Sequence, residues 1–317
     1  MHKKFWFIFY SALLLAVATP INAAPWFTGP ILAPAGKVIP LGHANFEMYG
    51  FYYDAGFAFD DRGRRFNTED FRSYQANPIF SYGLTDSIDA QVSVPFSLNY
   101  LPGRIGRHVG DTSVLLGLQL LRQEEGKWPP NARVTLQGII PTGKFDGLNP
   151  TDKGTGVTGA GAYENVISLN LQELLEIYDE HYLRTRLSLS FLYSYPFGIN
   201  GYTAMFPQVY ARGRVNERTL VSGDLAFEYT LTQHWVAVME GYIIHRKGTI
   251  FMGVVDANNN NTYEYLKRPD TTLTSLSPAI EYNFTDSIGI IAGYWFAVQG
   301  RTAPDFKTWV VALNISW

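Results

Sequence analysis

The amino-acid sequence predicts an all-β protein, a closed antiparallel transmembrane β-barrel of about 12 strands. Three observations lead to this fold class. The chain begins like an exported protein, and its long segments alternate apolar and polar residues with a period of two. The connections between those segments alternate between short and long, as they do in outer-membrane barrels.

The N-terminus resembles an export signal. Two lysines form a basic start, an apolar run follows at Phe5–Ala18, and Ala23 supplies a small residue for cleavage. An uncleaved membrane anchor is the alternative, but the run is shorter than the roughly 20 residues that a spanning helix needs. We therefore expect a signal peptide at 1–23 and a single mature domain at 24–317.

The composition narrows the classes of function. The chain of 317 residues has no Cys, which excludes disulfides, Cys-ligated zinc and thiol nucleophiles. Hydrophobic residues make up 46% and charged residues 17%, fewer charges than the roughly 25% of a typical soluble domain. The net charge is −3, and removal of the two lysines of the signal peptide makes it −5. This acidic balance argues against nucleic acid as a partner, because nucleic acid requires a basic patch.

Residues 88–100 show the alternation most clearly. The even positions are apolar: Ile88, Ala90, Val92, Val94, Phe96, Leu98 and Tyr100. The odd positions are polar residues or proline, so the segment reads as a strand with two unlike faces. It is longer than the usual globular strand of about five or six residues, and it reaches the roughly 9–11 residues of a membrane-spanning strand.

The same pattern recurs in about twelve segments along the chain. They lie near 43–53, 71–83, 88–100, 110–121, 131–141, 160–171, 182–195, 218–231, 235–246, 272–284, 288–299 and 307–317. Residues 160–171 fit the pattern least well because they are rich in Gly and Ala. An even number of strands returns the C-terminus to the side on which the first strand begins.

The connections between these segments fall into two sets. Mostly short ones lie at 84–87, 122–130, 172–181, 232–234 and 285–287, and mostly longer ones at 54–70, 101–109, 142–159, 196–217, 247–271 and 300–306. Short turns facing the periplasm and longer loops facing the exterior are typical of bacterial outer-membrane barrels.

Three of the short connections share one sequence pattern. "SYGLTDSID" at 81–89, "EYTLTQHWV" at 228–236 and "EYNFTDSIG" at 281–289 each run from an aromatic residue through Thr and polar residues to an apolar restart. We interpret them as tight periplasmic hairpins with aromatic residues at the membrane interface. The chain ends on Trp317 at the same side, so we expect outer-membrane lipid or lipopolysaccharide and the barrel-assembly machinery, which would recognise Trp317, as partners.

A secreted β-sandwich is the alternative fold, because its strands also alternate. The barrel is favoured because its strands are long and because a closed barrel pairs every backbone N–H and C=O group within lipid. A polar inner face then requires a hydrated lumen. Twelve strands lie between small filled barrels and the open porins of 16–18 strands, which predicts a narrow path for small solutes.

Charged residues on the polar face are the candidate site. The lumen-facing candidates are Glu47, Arg133, Arg184, Arg186, Asp224, Glu228, Glu240 and Glu281. One interpretation is a salt-bridge network that stiffens a narrow barrel, and the other is a charged constriction that selects what passes. Both interpretations stay open at this point.

The sequence shows no catalytic pattern. The histidines that follow the signal peptide are His43, His108, His181, His234 and His245, and none lies on the polar face beside a Ser and a carboxylate. We predict no catalytic residues, no metal and no cofactor. An outer-membrane enzyme of the hydrolase type and a non-conducting structural barrel remain the alternatives to a channel or transporter.

Several stretches resemble a known family of outer-membrane proteins, the meta-pathway phenol-degradation family. The resemblance rests on "VGDTSVLLGLQLL" (109–121), "ARVTLQGIIPTGKFDG" (132–147), "LSPAIEYNFTDSIGIIAGYWF" (276–296) and "WFTGPILAPAGKVIPLGHANFEMYGFYY" (26–53). It implies a barrel in the bacterial outer membrane that takes up small, apolar or aromatic molecules. It supplies no catalytic residues to carry over. Residues 24–42, rich in Pro and Gly up to residue 40, are expected to lead into the barrel from the periplasm and to line or plug its mouth.

Overall fold

A computed structural model describes residues 25–124, 128–178, 180–216, 219–257 and 260–317. The predicted signal peptide at 1–23 lies outside the described residues. Within those residues, no helix is long and apolar enough to cross a membrane. A short 3₁₀ turn occupies Pro150–Asp152, and the regular structure is otherwise strand.

The described part of the chain forms eighteen strands. They are β1 (Ala44–Phe59), β2 (Arg65–Thr85), β3 (Ile88–Ser93), β4 (Phe96–Leu101), β5 (Arg104–Val109), β6 (Thr112–Leu121), β7 (Asn131–Ile140), β8 (Glu164–Tyr178), β9 (His181–Ser194), β10 (Phe197–Gly201), β11 (Tyr210–Asn216), β12 (Leu220–Thr230), β13 (Trp235–Arg246), β14 (Ile250–Ala257), β15 (Asn260–Lys267), β16 (Thr271–Asn283), β17 (Ile288–Arg301) and β18 (Ala303–Ser316).

Twelve of these strands form one closed antiparallel barrel, which confirms the predicted fold class. Around the wall their order is β1, β18, β17, β16, β13, β12, β9, β8, β7, β6, β3 and β2. β2 pairs with β1 and closes the ring, with Ala44 opposite Tyr82, while Asn45 pairs with Ser316 on the other side of β1. A sandwich of two open sheets is therefore excluded.

The two faces of the wall differ as the alternation predicts. On β7 the side chain of Leu136 points outward and is 58% exposed, whereas its neighbour Thr135 is 4% exposed. The outer face is apolar, with exposed side chains such as Leu116, Ile243 and Trp309. The buried inner face is largely polar, so the chain places its polar residues inside a cylinder and its apolar residues outside.

The ends of the barrel also differ. β16 and β17 join through a tight turn in which Thr285 Oγ1 accepts a hydrogen bond from the N–H of Ser287 at 3.2 Å and from that of Ile288 at 3.0 Å. We call this end, where β1 begins and β18 stops, the short-turn end. The opposite end carries the longer connections and is called the long-loop end.

Three predicted segments have other bounds in the structure. One of them, the connection predicted at 300–306, is the single residue Thr302 between β17 and β18. The connection predicted at 54–70 is a turn at 60–64, because β1 and β2 stay paired beyond the expected strand ends and Asp60 Oδ1 closes the turn on the N–H of Arg64 at 2.7 Å. The strand predicted at 160–171 begins at Glu164 and continues to Tyr178, because the preceding Gly- and Ala-rich residues, which have low β-propensity, remain in a loop.

The connections predicted at 196–217 and 247–271 contain regular structure that the alternation did not reveal. β10, β11, β14 and β15 form a second, four-stranded sheet at the long-loop end. These strands are short, and their inner side chains pack on a connecting loop rather than facing a polar lumen. The buried apolar cluster consists of Phe145, Ile199, Ala211, Val215 and Phe251.

One predicted strand is broken in the middle, and the connection that follows it contains a strand. The segment predicted at 88–100 is divided into β3 and β4 at Val94 and Pro95, because proline has no N–H to donate to a neighbouring strand. The connection predicted at 101–109 contains β5, which is separated from β6 at Gly110, whose N–H donates to the carbonyl of Pro95 at 2.6 Å. Beyond this break, β5 pairs with β4, and a loop at 142–160 packs beside it.

Candidate functional site

An extended N-terminal segment lies inside the barrel. We call residues 26–40 the strap. Its backbone is held by inward-facing side chains of β3, β6, β7, β8, β9, β13, β16 and β18. Because these strands lie on opposite sides of the ring, the strap crosses the lumen.

Glu240 on β13 makes the densest contact with the strap. Its carboxylate accepts hydrogen bonds from the backbone N–H groups of Ile31 at 2.8 Å, Leu32 at 3.0 Å and Ala33 at 2.7 Å. The Glu240 side chain is fully buried. A carboxylate is suited to this position because it is an acceptor at both oxygens, and charge-assisted hydrogen bonds are roughly twice as strong as neutral ones.

Glu281 on β16 binds the strap closer to its N-terminus than Glu240 does. It accepts hydrogen bonds from the N–H groups of Thr28 at 2.9 Å and Gly29 at 3.2 Å. Gly29 has φ of +119°, a conformation that side chains other than glycine rarely adopt, so glycine allows the backbone to turn both N–H groups toward one carboxylate. Asn283 adds a bond from its amide to the carbonyl of Trp26 at 3.2 Å.

The C-terminal half of the strap is held mainly by side-chain amides of the wall. The N–H of Gly36 donates to Gln172 at 3.2 Å, and that of Val38 donates to Gln119 at 2.8 Å. The N–H of Ile39 donates to the carboxylate of Asp89 at 3.0 Å. The contacts are thus made to the backbone of the strap along most of its length.

The strap sequence explains why its backbone is available. Pro30, Pro34 and Pro40 restrict φ and disfavour a helix, so the intervening N–H groups remain free to bond to the barrel wall. The wall makes room with a glycine. A Cβ atom at Gly289 would lie 1.9 Å from Thr28 Oγ1, so any larger residue there would displace the strap.

Two clusters of arginine and carboxylate lie beside the strap. Arg184 and Arg186 on β9 both pair with Glu228 on β12, Arg186 through a contact of 3.4 Å. Arg184 also lies over the ring of Phe27, 4.1 Å from its centroid. These contacts join the strap to a buried ion cluster.

The second pair stands further round the ring, beyond β8. Arg133 on β7 donates to Asp89 on β3 at 2.7 Å, and both side chains are buried. Arg133 also donates to the strap carbonyl of Ala35 at 3.3 Å, and Arg186 donates to that of Ala33 at 3.0 Å. The arginines therefore hold strap carbonyls while the carboxylates hold strap N–H groups.

The eight lumen-facing candidates are all on the inner face of the wall. The structure brings Arg184, Arg186 and Glu228 together, and it places Glu240 and Glu281 on the strap. Arg133 pairs with Asp89, and Glu47 accepts a hydrogen bond from Asn314 at 3.1 Å. Asp224 is buried, and its Oδ1 atom has no hydrogen-bond partner.

Sequence reasoning missed the amides that hold the strap, Gln119, Gln172 and Asn283. They occupy inward-facing positions of the alternating pattern, as the charged candidates do, so the alternation could have identified them. It could not have indicated that their partner is the N-terminal segment, because the strap bonds through its backbone and has no side-chain signature for these contacts.

At the long-loop end, the loop at 142–160 is bound to inward-facing side chains of the wall. Asp111 accepts hydrogen bonds from the N–H groups of Gly143 at 2.9 Å and Ala160 at 2.7 Å. Asn99, buried on β4, donates to the carbonyls of Thr155 at 3.0 Å and Val157 at 2.8 Å. One carboxylate and one amide thus fix both halves of the loop against the wall.

Two adjoining cavities lie between the strap and this loop. The cavity beside the strap has a volume of about 350 Å³, and the one below the loop has a volume of about 610 Å³. Both are lined by Asn77, Ile79, Gln91 and Gln137, so they meet at one level of the barrel. The interior can therefore hold a small molecule or a group of waters.

Two histidines serve the short turns. His181 Nδ1 lies 2.8 Å from the carbonyl of Thr230, and His234 Nδ1 lies 2.6 Å from the carbonyl of Asn283. Each ring therefore ties one hairpin to the next at the short-turn end. This arrangement has the geometry of a turn contact and gives no support to a hydrolase site at these residues.

Comparison with known proteins identifies a related fold. The barrel resembles the crystal structure of the COG4313 outer membrane channel from Pseudomonas putida F1, with a TM-score of 0.62 and 12% identity over 91% of this chain and 100% of that one. At such low identity the likeness shows the fold alone.

Weaker likenesses exist to two other barrels. The transport unit of the autotransporter AIDA-I from Escherichia coli has a TM-score of 0.47 and 10% identity over 86% of this chain and 90% of that one. The translocator domain of NalP from Neisseria meningitidis has a TM-score of 0.44 and 9% identity over 98% of this chain and 95% of that one. These scores are too low to carry a functional argument.

No protein-family model matches the chain, and no curated protein matches it. The resemblance to the meta-pathway phenol-degradation family therefore stays a prediction. The chain is a closed twelve-stranded β-barrel of the kind that the COG4313 channel also adopts.

Proposed function

We propose that this protein is a channel of the bacterial outer membrane for small solutes, and that the strap closes its lumen. The observation that carries the proposal is the set of backbone N–H groups of the strap that end on Glu240 and Glu281 in the lumen. A barrel with an apolar exterior and a polar interior suits a water-filled path through lipid. The COG4313 protein of similar fold is described as an outer membrane channel, which supports the same role.

The strap supports a closed resting state. It enters from the short-turn end, which in an outer-membrane barrel faces the periplasm. Hydrogen bonds hold it from Trp26 to Ile39 along the lumen. Because it is one extended segment near the N-terminus, it can leave the barrel without disturbing the pairing of any wall strand.

Planar bilayer recording with the purified protein tests this proposal. The full chain and a variant that lacks residues 25–40 are compared at the same protein amount. We expect rare or brief openings from the full chain and long-lived openings from the variant. A variant that assembles as a barrel but passes no current would contradict the channel and would favour a non-conducting structural barrel.

The solute class that we favour is small apolar or aromatic molecules, on the strength of the family resemblance. A preferred solute that enters the pore should interrupt the ion current of the strap-deleted variant. We expect phenol to do so at lower concentration than glucose. If glucose interrupted the current and phenol did not, the apolar solute class would be wrong while the channel would stand.

A further inference from the structure

The inner wall near the strap carries more carboxylates than guanidinium groups. The carboxylates are Glu47, Asp89, Asp224, Glu228, Glu240 and Glu281, and the guanidinium groups are those of Arg133, Arg184 and Arg186. The strap itself contributes one charged side chain, Lys37. This stretch of the lumen therefore has an excess of acidic groups.

The guanidinium groups are already paired. Arg133 pairs with Asp89 at 2.7 Å, and Arg184 and Arg186 share Glu228. The remaining carboxylates have no lysine, arginine or histidine nitrogen within 4.0 Å among the described residues: Glu47, Asp224, Glu240 and Glu281. The acidic excess is thus concentrated in four groups on neighbouring parts of the ring.

The strap supplies hydrogen-bond donors to two of these four carboxylates. Glu240 receives the N–H groups of Ile31, Leu32 and Ala33, and Glu281 receives those of Thr28 and Gly29. These donors are dipoles without net charge. When the strap leaves, both carboxylates lose their donors and face the water of the lumen.

Unpartnered polar atoms lie beside them. Asp224 Oδ1 and Ser277 Oγ are buried and have no hydrogen-bond partner, and Ser277 stands directly opposite Glu240 in the pairing of β13 with β16. Such atoms are ready acceptors for a water or cation that enters the lumen. They extend the acceptor surface that Glu240 presents.

We infer that Glu240 and Glu281 have a second role, as the groups that make the open pore select cations. This inference rests on the proposed channel function. Rings of Asp and Glu select cations in channels because they concentrate counter-ions in a confined path. With the strap in place the carboxylates bind backbone, and with the strap gone they attract small inorganic or organic cations. The strap and the permeating cation therefore compete for the same oxygens.

The test is the reversal potential of the variant that lacks residues 25–40, recorded across a KCl gradient. We expect a potential of the sign that denotes K⁺ over Cl⁻, with a permeability ratio of several-fold. Adding Glu240→Gln and Glu281→Gln to the same variant should at least halve that ratio. Asp286→Asn, which removes an exposed carboxylate from a turn outside the lumen, should leave it unchanged.

The outcomes separate the two proposals. A strap-deleted pore that conducts but prefers Cl⁻, or shows no preference, would overturn the cation inference and leave the channel standing. A conducting pore whose ratio ignores both glutamine substitutions would overturn the role of these two residues. An assembled barrel without current would overturn the inference and the channel together.

A second variant guards against a folding failure of the deletion. Ile31→Pro with Ala33→Pro removes two of the N–H donors to Glu240 while keeping every barrel residue and the full chain length. We expect longer openings than in the unchanged chain, with the same K⁺ preference as the deletion. Openings of this variant that prefer Cl⁻ would overturn the inference independently.

Discussion

Single inward-facing carboxylates decide how firmly the strap is held. Glu240 gathers three backbone N–H groups, and its partners on the strap are consecutive residues. A glutamine in its place keeps one carbonyl oxygen as acceptor but brings an amide that donates. Each hydrogen bond to a charged group contributes roughly 1.5–3 kcal/mol. We therefore expect the Glu240 carboxylate to supply a large share of the free energy that holds the strap in the lumen.

Glu240→Gln is therefore expected to raise the open probability of the full chain. A loss of about 2 kcal/mol in strap binding corresponds to roughly a thirtyfold increase. Single-channel recording measures this directly. Glu164→Gln is the matched control, because Glu164 is a buried inner carboxylate that bonds to Ser194 and not to the strap. Equal open probabilities for both variants would show that Glu240 does not hold the strap.

Glu228 is the common partner of two arginines, and its loss has a different consequence. Glu228→Gln removes the carboxylate that contacts both Arg184 and Arg186, and breaking a buried ion pair typically costs about 3–5 kcal/mol. We expect a clear fall in the thermal unfolding midpoint of the barrel in detergent, followed by circular dichroism. Glu69→Gln breaks an exposed pair with Lys153 and should have little effect.

The salt-bridge interpretation and the constriction interpretation can both be tested at this cluster. If Glu228→Gln left the unfolding midpoint unchanged, the ion cluster would not stabilise the barrel.

Arg184→Ala with Arg186→Ala is expected to change single-channel conductance, because both guanidinium groups lie on the inner face beside the strap. Unchanged conductance would argue against a constriction there.

At the scale of elements, the loop at 142–160 is a second segment bound to the inner side of the wall, at the opposite end of the barrel from the strap. Asp111 binds both of its ends through the N–H groups of Gly143 and Ala160. The segment contains little regular structure, so its order depends on such contacts. The two adjoining cavities lie between the strap and the loop.

Asp111→Ala is predicted to release this loop. The loop contains Lys144 and Lys153, so trypsin should cleave it several-fold faster in the variant while the barrel itself stays resistant. Mass spectrometry of the fragments identifies the cut. Asp86→Ala, at a short turn on the other end, serves as the control. A cleavage rate equal to that of the unchanged chain would mean that Asp111 does not hold the loop.

Asp270, which precedes β16, binds the residues that follow β13, and we expect the stability of this contact to depend on pH. Lys247 Nζ and the N–H of Gly248 each donate to Asp270 at 2.9 Å, and the hydrogen bond from Lys247 is the main cause that lowers the pKa of Asp270 from 3.8 to about 2. Because the folded-state pKa is depressed, the stabilisation is present above about pH 3.8 and is lost as the pH falls through about 2.

Amide hydrogen exchange at Gly248 checks this pH dependence. The unchanged chain should be better protected than Asp270→Asn at pH 5, and most of the difference should be lost by about pH 2. Comparison at each pH cancels the intrinsic pH dependence of exchange. A protection ratio that stays constant from pH 5 to pH 2 would contradict the assignment.

Elements were predictable where the side-chain period carried the information. The wall strands follow from alternation because an inward polar residue and an outward apolar residue repeat at every second position. β10, β11, β14 and β15 escaped because their faces pack on Phe145 and other loop residues, so neither face is consistently polar. The break at Pro95 was visible in the sequence as a missing N–H, but the pattern continues across it.

At the scale of the whole molecule, the candidate site was half predictable. The parity of each strand fixes which charges point inward, so the set from Glu47 to Glu281 could be chosen from the sequence. Their partners could not, because the strap is distant in sequence and bonds through backbone groups that every residue possesses. The contact of Thr28 with Glu281 spans 253 positions, and no local pattern encodes such a pairing.

The closed ring of strands satisfies the backbone groups of the wall and leaves the polar side chains of its inner face in need of other partners. Each of the twelve wall strands pairs with two neighbours, so the ring itself can meet lipid without exposing a sheet edge. The edge strand β5 pairs with β4 alone and has the loop at 142–160 packed beside it. The inner face is left with polar groups that need water, ions or the strap as partners. Under the proposed function, opening and closing exchange the partners of these polar groups while the pairing of the wall strands stays the same.

The sidedness of that wall is the central claim, and tryptophan quenching by brominated lipid tests it most directly. Trp309 points outward and is 62% exposed, whereas Trp295 points inward and donates its Nε1–H to Ser275 at 2.9 Å. In vesicles, variants that retain one of these tryptophans should differ sharply: brominated acyl chains should quench Trp309 strongly and leave Trp295 bright. Equal quenching of the two tryptophans, or quenching of Trp295 alone, would contradict a barrel with its apolar face in lipid.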